Sequence, residues 1–340
     1  MRYKSFSNRI QSARQAASGW EERSIGTSEE GRPIVAFVRE GSGPRILAWA
    51  LMHGNEPTGY EAILQLLGSH VQGHWCVIPV LNPDGAEAFT RVNAHGVDVN
   101  RDARDLVSAE AKALEACRVW FQPDIALNLH DQRPRFYPEG GDKPASFSLL
   151  APKGHPEIAT ASQRQAQCIL HHWALTLTED FPGQVARFDD TFYPTAFGEY
   201  FQETGCATIT FETGISQKDW GRKRVAFAEA ECLRALDTHA SRWLNAKESS
   251  AYTELQLNAS PANEWVIVHP GGYCHLRVHE VVSNGEYRVK WEVDAYRAER
   301  PTWLRTEIST SLDHLELGNV LEEAYLASLG ISVPETGLKN

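Results

Sequence analysis

His53 and Glu56 stand close together in LAWALMHGNEPTGYEAILQLL (47–67), where an apolar run gives way to a helical pattern. Two more residues of the same chemical kind close apolar runs: His130 ends DIALNLH (124–130) and Glu212 ends CATITFE (206–212). Two imidazoles and a carboxylate form a ligand set that zinc takes when a fourth position is kept for water in hydrolysis. His53, Glu56 and His130 supply that set and leave Glu212 over as a base. Taken singly each residue has an ordinary explanation, since a histidine after a strand is commonly a hydrogen-bonded loop residue and H-x-x-E recurs by chance. Their concurrence at the ends of separate apolar runs gives the pattern its weight.

For these residues to meet, the runs must be strands of one sheet. RILAWAL (45–51) reads as a buried strand and PTGYEAILQLLG (57–68) as a helix opened by Pro57. HWCVIPVL (74–81) is the next strand, followed by a loop rich in Asn, Asp and Gly to about residue 105. SAEAKALEACRVWF (108–121) is helical with Ser108 as N-cap, and Pro123 separates it from the strand 124–130. A strand at 146–151, a helix at 156–177, a strand at 206–212 and a long helix from Asp219 to about Lys247 complete the pattern. Such alternation predicts an α/β fold with a largely parallel sheet covered by helices on both faces. Ligands bind at the carboxyl ends of strands in open α/β sheets, where all four residues fall.

The composition changes at KESSAYTELQLNASPAN (247–263), which is polar and turn-rich. Beyond it WVIVHPGGYCHLRVHEVVSNGEYRVKWEV reads as three strands divided by PGG and SNGE turns, and a last helix is expected around 314–329.

The chain has 340 residues, 42% of them hydrophobic, enough for a substantial core. Its net charge is −11 and its cations are scattered, which excludes the basic footprint of a nucleic-acid binder. The N-terminal stretch lacks the apolar core of a secretory signal, and no window is long enough to span a bilayer. A cytoplasmic location with no membrane partner is the expectation. The six cysteines lack any C-x-x-C pair and read as reduced core thiols. Nothing in the sequence indicates an oligomeric state.

Between the two histidines lies NPDGAEAFTRVNAHGVDVNRD (82–102), where Asn82-Pro83-Asp84-Gly85 reads as a turn and Arg91 and Arg101 occupy a loop near the carboxyl edge. With HGNE, NPDG, TRVNAHGVDVNR, LNLHDQ and TITFETG in this order, the sequence resembles the zinc carboxypeptidase family and its relatives, the succinylglutamate desuccinylases and aspartoacylases. The resemblance covers roughly residues 34 to 245 and implies a mixed eight-stranded sheet between helices, with one zinc per chain held by His53, Glu56 and His130. It implies a zinc carboxypeptidase-like domain over 1–250, followed by a small β-rich C-terminal domain over 253–340 whose role the sequence does not give.

The resemblance further assigns roles that spacing alone does not. Glu212 matches the glutamate that activates the zinc-bound water. Arg91 matches the arginine that polarises the scissile carbonyl, and Asn100-Arg101 the pair that grips a substrate carboxylate. Physical chemistry agrees with each. A carboxylate near such a water can take its proton and pass it to the leaving amine. A fixed cation stabilises a developing oxyanion, and a planar guanidinium binds both oxygens of a carboxylate.

Where the family pattern continues N-R-N-F, this chain has Asn100-Arg101-Asp102-Ala103, so pocket details do not carry over. The family's mobile tyrosine has two candidates, Tyr193 and Tyr200. Asp131, Gln132, Arg133 and Arg135 follow His130, and some of them are expected to line the substrate site. The pocket that selects the released side chain is expected within 188–212. His275 and His279 would lie about 13 Å apart along a strand, too far for one zinc, and His171-His172 read as helix packing and surface residues.

Three functions follow. The first is a metallocarboxypeptidase releasing a C-terminal residue from a peptide or conjugate; NPDG and GVDVNR favour it. The second is an N-acyl amino acid deacylase of the aspartoacylase or desuccinylase kind, to which HGNE and a β-rich C-terminal domain also point. The third is a zinc-bearing but catalytically silent binding protein, disfavoured because Glu212 is retained beside the three ligands.

Overall fold

The structure is a computed structural model that describes residues 5–132, 136–216 and 222–259 and, further on, the backbone of five strands. Helix α1 (Phe6–Ala16) is N-capped by the Ser5 hydroxyl, which accepts from Asn8 N. It buries Phe6, Ile10 and Ala13 along one face, and its buried Arg9 lies over the Tyr60 ring at 5.0 Å. Strands β1 (Glu21–Thr27), β2 (Pro33–Arg39) and β3 (Ser42–Trp49) lead to α2 (Thr58–Leu67) and β4 (Gly73–Ile78). There follow α3 (Pro83–Ala88), a 3-10 turn at Val99–Arg101, α4 (Ala109–Phe121), β5 (Ile125–Asp131) and β6 (Phe147–Leu150). Next come α5 (Ala161–Asp180), β7 (Val185–Arg187), α6 (Phe197–Glu203), β8 (Ala207–Thr213), α7 (Lys223–Leu244) and α8 (Ser250–Thr253).

These strands form an eight-stranded sheet in the order β1-β2-β4-β3-β5-β8-β6-β7. Its centre, β4-β3-β5-β8, is parallel, while β2 joins β4, β1 joins β2 and β6 joins β8 antiparallel. The sheet is therefore mixed, as the family resemblance implied. Both faces are covered, which is why the buried part of a central strand such as ILAW (46–49) is apolar throughout rather than alternating. Ile46 and Ala48 join the core with Leu66, Trp173 and Leu233, whereas Leu47 and Trp49 join the opposite core with Leu114, Phe197 and Phe201.

The elements depart from the sequence reading in several places. NPDG is not merely a turn: Asn82 caps α3, its Oδ1 accepting from Gly85 N at 2.8 Å, and Pro83 takes the first helical position. The helix expected from 156 starts at Ala161, because Thr160 supplies the cap by accepting from Gln163 N. The shorter elements α6 and β7 and the N-terminal α1 and β1 add to the pattern read from the sequence. Ser108 caps α4 as read.

The C-terminal strands are β9 (Trp265–His269), β10 (Gly272–Ser283), β11 (Glu286–Arg297), β12 (Glu307–Ser309) and β13 (Val320–Leu321), in a five-stranded sheet ordered β12-β9-β10-β11-β13. The helix expected at 314–329 is corrected at Val320–Leu321, which pair with Trp291 and Glu292 as an antiparallel strand; the rest of that stretch, like Arg133, Arg135 and 219–221, lies outside the described residues. No helix among the described residues is long and apolar enough to cross a membrane.

Glu229 of α7 is wholly buried and its Oε2 accepts from Thr213 Oγ1 at 3.0 Å. Burial lifts its carboxyl from the ordinary 4.5 to about 8, and the charge of Asp131 adds to the rise. A raised carboxyl favours the folded state fully only below its unfolded value, so its contribution is lost as pH climbs from about 4.5 to about 8. Glu229→Gln keeps an acceptor for Thr213 and removes the titration. Urea unfolding is expected to give the variant an advantage at pH 8, on the order of a few kcal/mol, that shrinks toward zero at pH 4.5. A variant-minus-wild-type difference independent of pH contradicts this.

Candidate metal centre and active site

The carboxyl ends of β3, β5 and β8 meet at one edge of the sheet. Beyond β3, Leu51 takes a left-handed conformation (φ 52°) that redirects the chain into His53-Gly54-Asn55-Glu56. Gly54 is required by a close approach: a Cβ there would sit 1.8 Å from the Gly85 carbonyl carbon. Asn82 Nδ2 donates to Met52 O at 3.2 Å, so HGNE and NPDG are two halves of one packed corner. Glu56 N donates to His53 O at 3.1 Å and closes the turn that puts both side chains on one side.

His130 and Glu212 are register partners on the parallel neighbours β5 and β8, so their side chains leave the sheet on the same side. His53 Nδ1 lies 2.9 Å from Glu56 Oε1, His130 Nδ1 lies 2.8 Å from Glu56 Oε2, and the two Nδ1 atoms are 3.1 Å apart. All three residues are buried, each 2% exposed. Donor atoms on a tetrahedral zinc with bonds of about 2.0–2.2 Å are separated by roughly 3.3 Å, so this donor set fits such an ion. His53, Glu56 and His130 are also the metal-capable group found among the described residues, with ligand atoms within 4.8 Å of one another.

Burial alone would lower both imidazoles. At His53 it is outweighed by Glu56 and Asp98, which lift the ring to about 9, whereas burial keeps His130 below its ordinary value. Glu56 is held well below the usual carboxylate range by the two histidines despite its burial. Glu212 is partly buried, and burial together with the charge of Glu56 raises it to about 8.

Arg91 reaches the same cluster from the loop after α3, with Nη1 3.6 Å from Glu56 Oε1 and a side chain 47% exposed. Asn100 stands behind His130, its Nδ2 3.4 Å from His130 Nε2, while its Oδ1 accepts from Phe197 N at 3.2 Å. Arg101 is exposed, donates to Asn100 O at 2.9 Å, and lies over the Tyr193 ring at 5.5 Å. The second tyrosine is elsewhere: Tyr200 OH donates to Glu115 Oε1 at 3.1 Å, and its ring faces Arg104 and Arg118. The departure at Asp102 is structural, since its carboxylate accepts from Val107 N, Ser108 N and Ser108 Oγ and so anchors the start of α4. His171 and His172 lie on α5, far along the chain from this edge, with His172 stacked on Trp243 at 4.7 Å.

Asp98 escaped the sequence reading although it sits inside the quoted GVDVNR. Its Oδ1 lies 3.1 Å from His53 Nε2, and its Oδ2 accepts from Arg91 Nε at 3.0 Å and Nη2 at 2.9 Å. Burial would raise Asp98, but His53 and Arg91 hold it well below the ordinary range, so it accepts the Nε2–H and leaves the Nδ1 lone pair toward the cluster. Asp98→Ala is expected to weaken zinc binding about 10- to 100-fold in chelator competition. Unchanged affinity in the variant contradicts the orienting role.

Fold and site together describe an α/β protein whose sheet edge gathers His53, Glu56 and His130 into a group that could hold a metal ion. Residues 11–118 match the family model described as Zinc carboxypeptidase. Carboxypeptidase 2 of Trichophyton rubrum and that of Trichophyton tonsurans are each 30% identical over 125 residues, a match spanning 31% of this chain and 23% of theirs. Among solved structures, carboxypeptidase A from Helicoverpa armigera superposes with a TM-score of 0.57 at 15% identity, covering 72% of this chain and 75% of that one. The metallo-carboxypeptidase from Pseudomonas aeruginosa in complex with (2-guanidinoethylmercapto)succinic acid gives 0.56 at 18% identity, covering 70% and 69%. Over residues 11–118 the chain is thus similar in sequence to zinc carboxypeptidases, and it shares their fold over 72% of its length while spanning 23% of the curated relatives it matches.

Proposed function

We propose that the protein is a zinc-dependent hydrolase that cleaves an amide bond next to a free carboxylate, acting as a metallocarboxypeptidase on a peptide or conjugate. The observation that carries this reading is the convergence of two imidazole Nδ1 atoms and both Glu56 oxygens within 3.1 Å contacts, beside Glu212. His53, Glu56 and His130 would hold one zinc, which supplies a water of lowered pKa and a Lewis acid for the carbonyl. Glu212 would serve as the base that accepts a proton from the attacking water and returns it to the leaving amine. Arg91 faces the developing oxyanion, and Arg101, with Asn100 beside it, holds the substrate carboxylate. Tyr193, whose ring lies 5.5 Å from Arg101, would meet that carboxylate.

The deacylase alternative releases an amino acid with the same free carboxylate, so Arg101 serves both. The carboxypeptidase reading is favoured by the match of residues 11–118 to the zinc carboxypeptidase model. The described cysteines are free and buried, which supports a reducing, cytoplasmic setting. A screen of the zinc-loaded enzyme against C-terminally varied dipeptides, N-acetyl and N-succinyl amino acids is expected to show turnover of dipeptides. Exclusive turnover of acyl amino acids would replace the first reading by the second, and no turnover of any would remove both.

A further inference from the structure

Gln132 follows the strand that carries His130, and its buried side chain folds back across the strand ends. Nε2 donates to the carbonyl oxygen of Glu212 at 2.6 Å and to Ser148 Oγ at 2.8 Å, while Oε1 accepts from Asn258 Nδ2 at 3.1 Å. Its backbone N–H donates to Thr213 O at 2.9 Å, and its carbonyl accepts from Arg222 Nη2 at 3.1 Å. One amide thereby ties β5, β8 and β6 together at the residue we assign as base. At the same point Gly214 passes so close to Ala145 that a Cβ would meet its carbonyl oxygen at 2.0 Å, so the strand end is closely packed there.

The third partner of that amide, Asn258, comes from the turn-rich stretch after α7. Residues 256–259 are held as a short extra strand rather than a free connection. Arg187 N donates to Gln256 O and Asn258 N to Arg187 O, while Glu139 N donates to Leu257 O and Ala259 N to Tyr137 O, all at 2.8–2.9 Å. Just upstream, the buried Tyr252 accepts from Ala151 N at 3.0 Å, and Ala251 N donates to His171 Nδ1 at 3.1 Å.

We propose that Gln132 and Asn258 form a positioning clamp for Glu212, so that the catalytic unit extends to residue 259 and the β-rich unit begins after it. The proposal rests on the hydrolase reading above. The polarity of the clamp is its working feature. The NH2 end of Gln132 must face the Glu212 carbonyl, and it does so because Asn258 presents a donor to the other end. An acceptor at 258 favours the flipped amide, which sets Oε1 against the Glu212 carbonyl oxygen and pushes that backbone away. Misplacement of a reacting group by about 1 Å costs on the order of 100-fold in rate.

The test uses full-length, zinc-loaded protein with Asn258→Asp, Asn258→Ala and Gln132→Ala. Asn258→Asp, equal in size but without the donor, is expected to lose about 30-fold in kcat, and Asn258→Ala less, with KM within about twofold and one zinc per chain in both. Gln132→Ala is expected to match or exceed the aspartate variant. Amide hydrogen exchange over 210–216 is read in parallel, and should quicken in the order wild type, Asn258→Ala, Asn258→Asp. If wild type turns over none of the substrates, the hydrolase reading fails while the exchange order still decides the clamp. Wild-type kcat and exchange in both Asn258 variants overturn it, as do losses that track a lowered unfolding midpoint or lost zinc. Asn258 is only partly buried, so its variants decide the matter even if Gln132→Ala does not fold.

Discussion

Glu212→Gln is expected to retain one zinc per chain and to lose roughly 10²- to 10⁴-fold in kcat, the range that a positioned general base contributes. Glutamine matches glutamate in shape and preserves the strand register with His130, so the three ligands His53, Glu56 and His130 are undisturbed. What disappears is the ability to accept a proton. The environment of Glu212 suits that task, because burial and the neighbouring Glu56 raise its carboxyl to about 8, making it a stronger base than an exposed glutamate. A dication bound between the histidines works against that rise, so the pH at which activity appears should lie below 8 in the zinc-loaded enzyme. Zinc content by atomic absorption and kcat on the best substrate of the screen are the two measurements. Full activity in the variant would remove Glu212 from the mechanism; loss of zinc would make it a structural residue of the metal centre instead.

Arg91→Lys should lower kcat by about 10²- to 10³-fold, the loss seen when a group stabilising an oxyanion is removed, while leaving the unfolding midpoint nearly unchanged. The two magnitudes separate the roles. An arginine 47% exposed contributes at most about 1 kcal/mol to stability through its ion pair with Asp98, whereas the catalytic loss corresponds to about 2.7–4 kcal/mol in the barrier. Lysine keeps the charge but cannot place one nitrogen toward Glu56 while two others hold Asp98. Differential scanning fluorimetry and steady-state kinetics read both quantities, and a kcat within threefold of wild type would move Arg91 from the reaction to the rim.

His53 and Glu56 were legible because they share one turn, and their spacing is a local property of the chain. His130 and Glu212 were legible because each ends an apolar run long enough to be a buried strand. The α3 helix was missed since its six residues begin with Pro-Asp-Gly behind the Asn82 cap, a composition that reads equally as a turn. Asp98 gave no signal of its own, and Gln132, read as a candidate for the substrate site, is instead bonded to Ser148, Glu212 and Asn258. Asp98 binds His53 across 45 positions of sequence, and Gln132 binds Asn258 across 126, contacts that no local pattern encodes.

By itself, then, the sequence determined a candidate set of metal ligands and the alternating strands and helices that carry it, because residue type and hydrophobic period are read along the chain. Tertiary structure decided which neighbours orient those groups: Asp98 behind His53, Gly54 against α3, Tyr193 rather than Tyr200 beside Arg101, and Asn258 on Gln132. Hydrogen bonds and close packing act over a few ångströms in space, and only the sheet order β3-β5-β8-β6 brings those distant segments within that reach.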